Sequence, residues 1–119
     1  MGSDLRGMNW RPLNSLEELS AIDALSREVP VLLFKHSTTC SISRAALNRL
    51  EREWKPADDE RTTYYLDLHR FRPVSDAVAQ RYGIQHESPQ ALVIRDGECR
   101  HHASHFSITY AGTIEAMSS

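Results

Sequence analysis

Two cysteines and six histidines are the side chains of this 119-residue chain best suited to covalent or metal chemistry. Cys40 is the more telling cysteine. It lies in Thr39-Cys40-Ser41-Ile42-Ser43, just after the apolar run Val31-Leu32-Leu33-Phe34 and just before a stretch with helical periodicity. Thr38 and Thr39 offer N-cap hydroxyls, so a helix is expected to start around Cys40. A helix N-terminus carries partial positive charge and unpaired N–H groups, and both favour a thiolate, the nucleophilic form of cysteine. Lys35, His36 and Arg44 are close enough in sequence to add positive potential. The segment has the C-x-x-C frame with Ser43 at the second position. Serine cannot close an internal disulfide. Such a thiol attacks a mixed disulfide, takes over the small thiol and waits for another thiol to release it. The plainer reading is a buried core cysteine; placement between a strand and a helix favours the reactive one.

The elements that must position this thiol alternate along the chain. Asn9 to Leu13 forms a short edge strand, and Ser15 with Glu18 makes a capping box for a helix bearing Leu16, Leu19, Ile22 and Leu25 on one buried stripe. Pro30 ends that helix, and Val31 to Phe34 reads as a strand buried on both faces. The helix after Cys40 turns Ala46, Leu47, Leu50 and Trp54 inward and stops at Pro56. A charged loop from Lys55 to Arg61 leads to a strand over Thr63 to Leu66. Pro73 opens a helix with Val74, Ala77, Val78 and Tyr82, closed by Gly83 as a left-handed cap. Ala91 to Ile94 is a further strand, Asp96-Gly97 a hairpin turn, and Glu98 to Ala103 the returning strand. Ser107 or Thr109 opens a last helix with Ile108, Ala111, Ile114 and Met117 inward, and Gly112 weakens it. The order β-α-β-α-β-α-β-β-α implies an α/β fold with a mixed central sheet flanked by helices on both faces. This is a thioredoxin-like topology. In that order Ser88-Pro89, immediately before a strand, holds the place of a cis proline beside the thiol; the alternative is an ordinary trans proline at a strand start.

Three separated segments carry a resemblance. Thr39-Cys40-Ser41-Ile42-Ser43, His86-Glu87-Ser88-Pro89-Gln90-Ala91, and His102-Ala103-Ser104-His105 followed by Ile108-Thr109 resemble the motifs T-C-P-I-S, H-E-S-P-Q-A and H-A-S-H-x-x-I-T of the monothiol bacilliredoxin (YtxJ) family. Asn9-Trp10 and Leu32 with Phe34 to Ser37 fit as well, so the likeness runs from about Met8 to Met117. It implies a thioredoxin fold and a thiol-disulfide oxidoreductase in bacillithiol redox homeostasis. Cys40 would take bacillithiol from bacillithiolated proteins. Free bacillithiol, a co-substrate rather than a tightly bound cofactor, or a partner reductase system would then restore the thiol. Carried over by position, Cys40 is the nucleophile, and Thr39, Ser41, Ser43, Ser88, Pro89 and Gln90 form the substrate-binding set. Ser41 departs from the motif's proline and restores a backbone N–H at the helix start. A second reading is a non-catalytic module that binds a small thiol, or an iron–sulfur cluster held by Cys40 from two subunits. The chain lacks the Cys-Gly-Phe-Ser pattern of monothiol glutaredoxins, which ranks this reading second.

Cys99, His101, His102 and His105 invite a zinc reading, but on a regular strand 99, 101, 103 and 105 face one side and His102 the other. No spacing here matches a structural zinc motif, so no metal is expected, and Cys99 reads as an ordinary strand residue too distant for a disulfide to Cys40. Asp67 reads as a strand-end turn residue, with a buried proton-transfer acid as the alternative. Arg70-Phe71-Arg72 reads as a solvated loop face. The net charge of −2 gives no basic field for nucleic acid or anionic membrane, and no apolar run has the length of a span. The cytoplasm is the expected location, with residues 1–7 an expression leader ahead of a single domain over 8–119.

Overall fold

The computed structural model describes residues 8–118; the leader expected over 1–7 lies outside the described residues. Nine elements follow the expected order: β1 (Arg11–Pro12), α1 (Leu16–Leu25), β2 (Val31–His36), α2 (Ser41–Glu53), β3 (Thr62–Asp67), α3 (Arg72–Tyr82), β4 (Gln90–Arg95), β5 (Glu98–Ser104) and α4 (Tyr110–Met117). The five strands form one sheet in the order β1-β3-β2-β4-β5. β2 runs parallel to β3 and antiparallel to β4, and β5 returns antiparallel at the far edge. A mixed α/β sheet covered by helices on both faces is the architecture expected from the alternation.

Strand alternation divides the core in two. Leu32, Phe34, Ala91 and Val93 face α2 and α4, meeting Ala46, Leu50 and Met117. Val31, Leu33, Leu92 and Ile94 face α1 and α3, meeting Leu19, Ile22, Val74 and Val78. Every residue of β2 is buried, as a central strand between two helical layers must be. Gly83 caps α3 at φ 65°, and Asp96 and Gly97 turn the hairpin at φ 57° and 75°. Both central residues in the left-handed region make the tight turn whose twist matches a hairpin. Its tip is bonded to the end of α1: the Asp96 N–H donates to the Ser26 carbonyl at 2.7 Å and the Gly97 N–H to Ser26 Oγ at 2.9 Å.

Several expectations need correction. Leu16 is 55% exposed, because a first-turn side chain tilts past the end of its helix. Ala111 is exposed while Thr113 and Met117 are buried, and Ile108 precedes α4. Residues spaced three apart drift round a helix of 3.6 residues per turn, so a strict 108-111-114-117 stripe leaves the core face. Ser15 caps α1 as expected, but Glu18 reaches back to the Asn14 N–H at 2.6 Å instead of that of Ser15. The charged segment 55–61 contains a short 3-10 helix, Pro56–Asp58, around buried Asp58. Burial alone would raise the Asp58 pKa; bonds from the Tyr110 hydroxyl at 2.5 Å, Arg61 Nε at 3.0 Å and the Lys55 N–H hold it below the ordinary value.

Ser26→Ala removes a fully buried hydroxyl that accepts from Gly97 and donates to the Asp23 carbonyl at 2.6 Å. The orphaned N–H and carbonyl should cost about 1–3 kcal/mol in urea unfolding, with little change in the denaturant slope.

Candidate active site

The buried strand β2 ends on two polar residues, Lys35 and His36, buried Ser37 follows, and the chain turns there into α2. Cys40 is the N-cap of that helix, with φ −109° and ψ 122°, and its side chain makes no capping bond. This corrects the expected capping by Thr38 or Thr39. The Thr39 hydroxyl instead lies 3.4 Å from His69 Nε2, which is also 2.8 Å from Ser37 Oγ. The Cys40 N–H donates to the Ser37 carbonyl at 3.2 Å, and the Cys40 carbonyl accepts the first helical bond from Arg44 at 3.1 Å. Cys40 is half-buried and free. Cys40 thus stands at the end of α2 where the first N–H groups have no intrahelical partner. Ser41 is exposed at the first helical position, where a proline would lose no intrahelical bond.

Ser43, expected among the substrate contacts, is fully buried. Its hydroxyl accepts from the Ser37 N–H at 3.0 Å and lies 2.6 Å from His36 Nδ1. Burial, with help from Arg44 and against the pull of Asp67, keeps the His36 pKa below its ordinary value. A neutral His36 with its proton on Nε2 accepts the Ser43 O–H at Nδ1. Ser43 therefore supports the thiol's turn from beneath. His36 continues the α2-facing side of β2 and packs against Tyr65 and Phe34. Trp10 covers this cluster and donates from Nε1 to Glu51 of α2 at 2.9 Å.

Lys35 points to the other face of the sheet, away from the helix that carries the thiol. Its side chain is fully buried, with Nζ 3.2 Å from the Ser75 carbonyl and 3.2 Å from His86 Nδ1. Burial lowers its pKa from 10.5 to about 8, opposed by Asp76 and reinforced by Arg72. Burial also lowers the pKa of His86, with Lys35 adding to the effect, so a neutral ring accepts from the ammonium. Through His86, Lys35 fastens the loop ahead of β4. Gln90 pairs with Lys35 across the sheet and donates from Nε2 to the Gln85 carbonyl at 3.1 Å, which fastens the same loop a second time.

That loop ends in a cis Ser88–Pro89 bond. Because Gln90 sits opposite Lys35, the cis step and the Cys40 turn lie at the same end of adjacent strands. Pro89 is buried, and its carbonyl accepts the His105 N–H at 3.1 Å. Three buried polar atoms have no partner among the described residues: Ser88 Oγ, Gln90 Oε1 and Asp67 Oδ1. Asp67 also ends β3 as a turn residue, its carbonyl accepting the Phe71 N–H at 3.0 Å.

His105 adopts φ 54°. Histidine visits this region more readily than most residues, but a non-glycine residue there still costs about 1 kcal/mol or more. Its ring is 3.6 Å from Glu87 Oε1, with the two side chains 47% and 42% exposed. An exposed pair of this kind is worth about 0–1 kcal/mol, which does not offset the backbone cost. The β4–β5 ladder carries a bulge: Ile94 pairs with Cys99 and Val93 with His101, leaving Arg100 unpaired. The extra residue breaks the alternation, so Cys99 and His101 share a face with Ile94 and Val93 respectively, on opposite sides of the sheet. The expected common face for 99, 101, 103 and 105 is thereby corrected. No three His, Cys, Asp or Glu side chains gather into a metal-sized group among the described residues. Nor does any described helix have the length and apolarity to cross a membrane.

A family model described as monothiol bacilliredoxin BrxC matches residues 11–112. The chain belongs to the monothiol bacilliredoxin family. Membership gives it a role in thiol redox chemistry. Among solved structures, one described as an oxidoreductase with a thioredoxin fold is 28% identical, with a TM-score of 0.76 over 88% of this chain and 90% of the other. A thioredoxin from Malassezia sympodialis is 13% identical with a TM-score of 0.70, covering 92% of this chain and 89% of that one. Spinach chloroplast thioredoxin f is 14% identical with a TM-score of 0.66, covering 95% and 86%. The last two show the fold alone.

Sequence reasoning about this bacilliredoxin missed the supports: His69 beside Thr39, Ser43 beneath the thiol's turn, and Lys35 behind the cis-proline loop. A lysine and a histidine ending an otherwise apolar strand were the available signal.

Ser43→Ala should cost about 1–3 kcal/mol in chemical denaturation, because it strands the buried Ser37 N–H and frees His36. Lys35→Met tests the buried ammonium. The unfolded chain holds the Lys35 proton up to 10.5 and the fold releases it at about 8. Between those values the unfolded state binds more protons, so stability rises with pH. Wild type should gain on Lys35→Met by up to about 3 kcal/mol from pH 8 to 10.5, with a flat difference around pH 7, above the titration of His86, whose pKa Lys35 also lowers. Taking the difference between the two proteins cancels the tyrosines and Cys99, which titrate in both.

Proposed function

We propose that Cys40 removes bacillithiol from mixed disulfides on proteins. The observation that carries this reading is a lone accessible thiol at the N-terminus of α2, with a buried, fully bonded Ser43 where a second cysteine would close a disulfide. In the first step the Cys40 thiolate attacks the bacillithiol sulfur. A Cys40–bacillithiol disulfide forms, the bond between bacillithiol and the protein substrate breaks, and the departing protein thiolate takes a proton from water. No net oxidation occurs, since one disulfide replaces another. In the second step an external thiolate attacks the bacillithiol sulfur held on Cys40 and returns Cys40 as a thiolate. With free bacillithiol as that thiol the by-product is bacillithiol disulfide; with a reductase it is a mixed disulfide on the reductase.

The substrate would lie across Ser88 and Pro89, with Thr39 and Ser41 at its other edge. Ser88 precedes the first β4 pair at Gln90, so its backbone stands outside the ladder and suits pairing with an extended segment. No tightly bound cofactor is required, and the reducing cytoplasm is the compartment in which a free thiol of this kind works.

Reduced protein incubated with a bacillithiolated substrate, followed by intact mass, tests the reading. Wild type should gain one bacillithiol on Cys40 as the substrate loses one, and Cys40→Ser should leave the substrate unchanged. Bacillithiol retained on the substrate while Cys40 is reduced and alkylatable would defeat the proposal.

A further inference from the structure

Glu87 and His105 flank the cis Ser88–Pro89 step. Glu87 precedes Pro89 by two residues, and the His105 N–H is bonded to the Pro89 carbonyl at 3.1 Å. Their side chains meet at 3.6 Å in partly open solvent. The backbone anchor needs only an N–H at φ 54°, which glycine supplies without strain. What histidine adds at this position is its ring, and the exposed contact with Glu87 is too weak to be its justification. Ser88 Oγ and Gln90 Oε1, both buried with no partner among the described residues, mark the same stretch as short of hydrogen-bond partners. A side chain held in a strained conformation beside the place where a disulfide would lie points to recognition rather than to stability.

We propose that Glu87 and His105 form a subsite for a zwitterionic small thiol, Glu87 accepting from its ammonium group and His105 donating to its carboxylate. The inference rests on the disulfide exchange at Cys40 and adds what the exchanged thiol must look like. The small thiol replaces the contact between the two side chains with one bond to each. A thiol lacking one charge leaves one side chain unmatched. His105 and Glu87 are specificity residues and take no part in breaking the disulfide.

The test uses one neutral peptide with a single cysteine, capped in turn with cysteine, 3-mercaptopropionate, cysteamine and 2-mercaptoethanol. The rate of cap transfer to Cys40 is read by mass for wild type, His105→Gly and Glu87→Gln. Variant-to-wild-type ratios, cap by cap, cancel the caps' intrinsic reactivities. His105→Gly should slow the two carboxylate-bearing caps about fivefold or more relative to the other two, while melting at the same temperature or higher. Glu87→Gln should slow the two ammonium-bearing caps by a similar factor. Equal slowing of all four caps, or none, overturns the subsite. Failure of wild type to take any cap instead overturns the exchange at Cys40, a result distinct from uptake of all four without regard to charge.

Discussion

The hydroxyl of Ser43 joins the parts of the chain on which the thiol's position depends. It takes the N–H of Ser37, where β2 ends, and meets the ring of His36, the last residue of that strand. Without it the turn from a fully buried strand to a helix N-terminus would carry an unsatisfied donor in the interior, and buried donors of that kind are rare because they are costly. The same bonds give Cys40 its cap position, since residues 37–43 must close as one unit. In a dithiol frame the second cysteine occupies this place. Here the place is structural, and the chemistry of a single thiol follows from it.

Two adjacent residues of β2 divide the support between the faces of the sheet. His36 faces α2 and stays neutral under the thiol's helix; Lys35 faces α3 and holds, through His86, the loop that delivers the cis Ser88–Pro89 step. A buried ammonium with no carboxylate within bonding distance among the described residues is an expensive way to fasten a loop. It leaves the ends of β2 and β4 locked together at the point where their two turns meet. Stability is given up there for position.

Periodicity made most of the architecture legible. The apolar runs of β2 and β4, the Asp96-Gly97 turn and the Gly83 cap each depend on neighbours in the chain, so local pattern suffices to find them. Side-chain direction was less legible. Leu16 and Ala111 follow the pattern yet face solvent, because the end of a helix and a three-residue drift both carry a side chain off the core face. One extra residue in β5 turned Cys99 and His101 to opposite sides, and no local signal marked Arg100 as the bulge.

The sequence by itself determined the order of the elements, the single thiol with serine three residues on, and the proline ahead of β4, for these are properties of types and spacings along the chain. Tertiary structure alone decided what stands around that thiol. Ser43 turns inward where β2 and α2 close on the turn between them, and Lys35 turns away and Glu87 meets His105 because strands distant in sequence come into register. Such contacts join residues 6 to 51 positions apart, and the register that makes the longer ones is fixed by packing of both sheet faces at once, which no short window of the sequence contains.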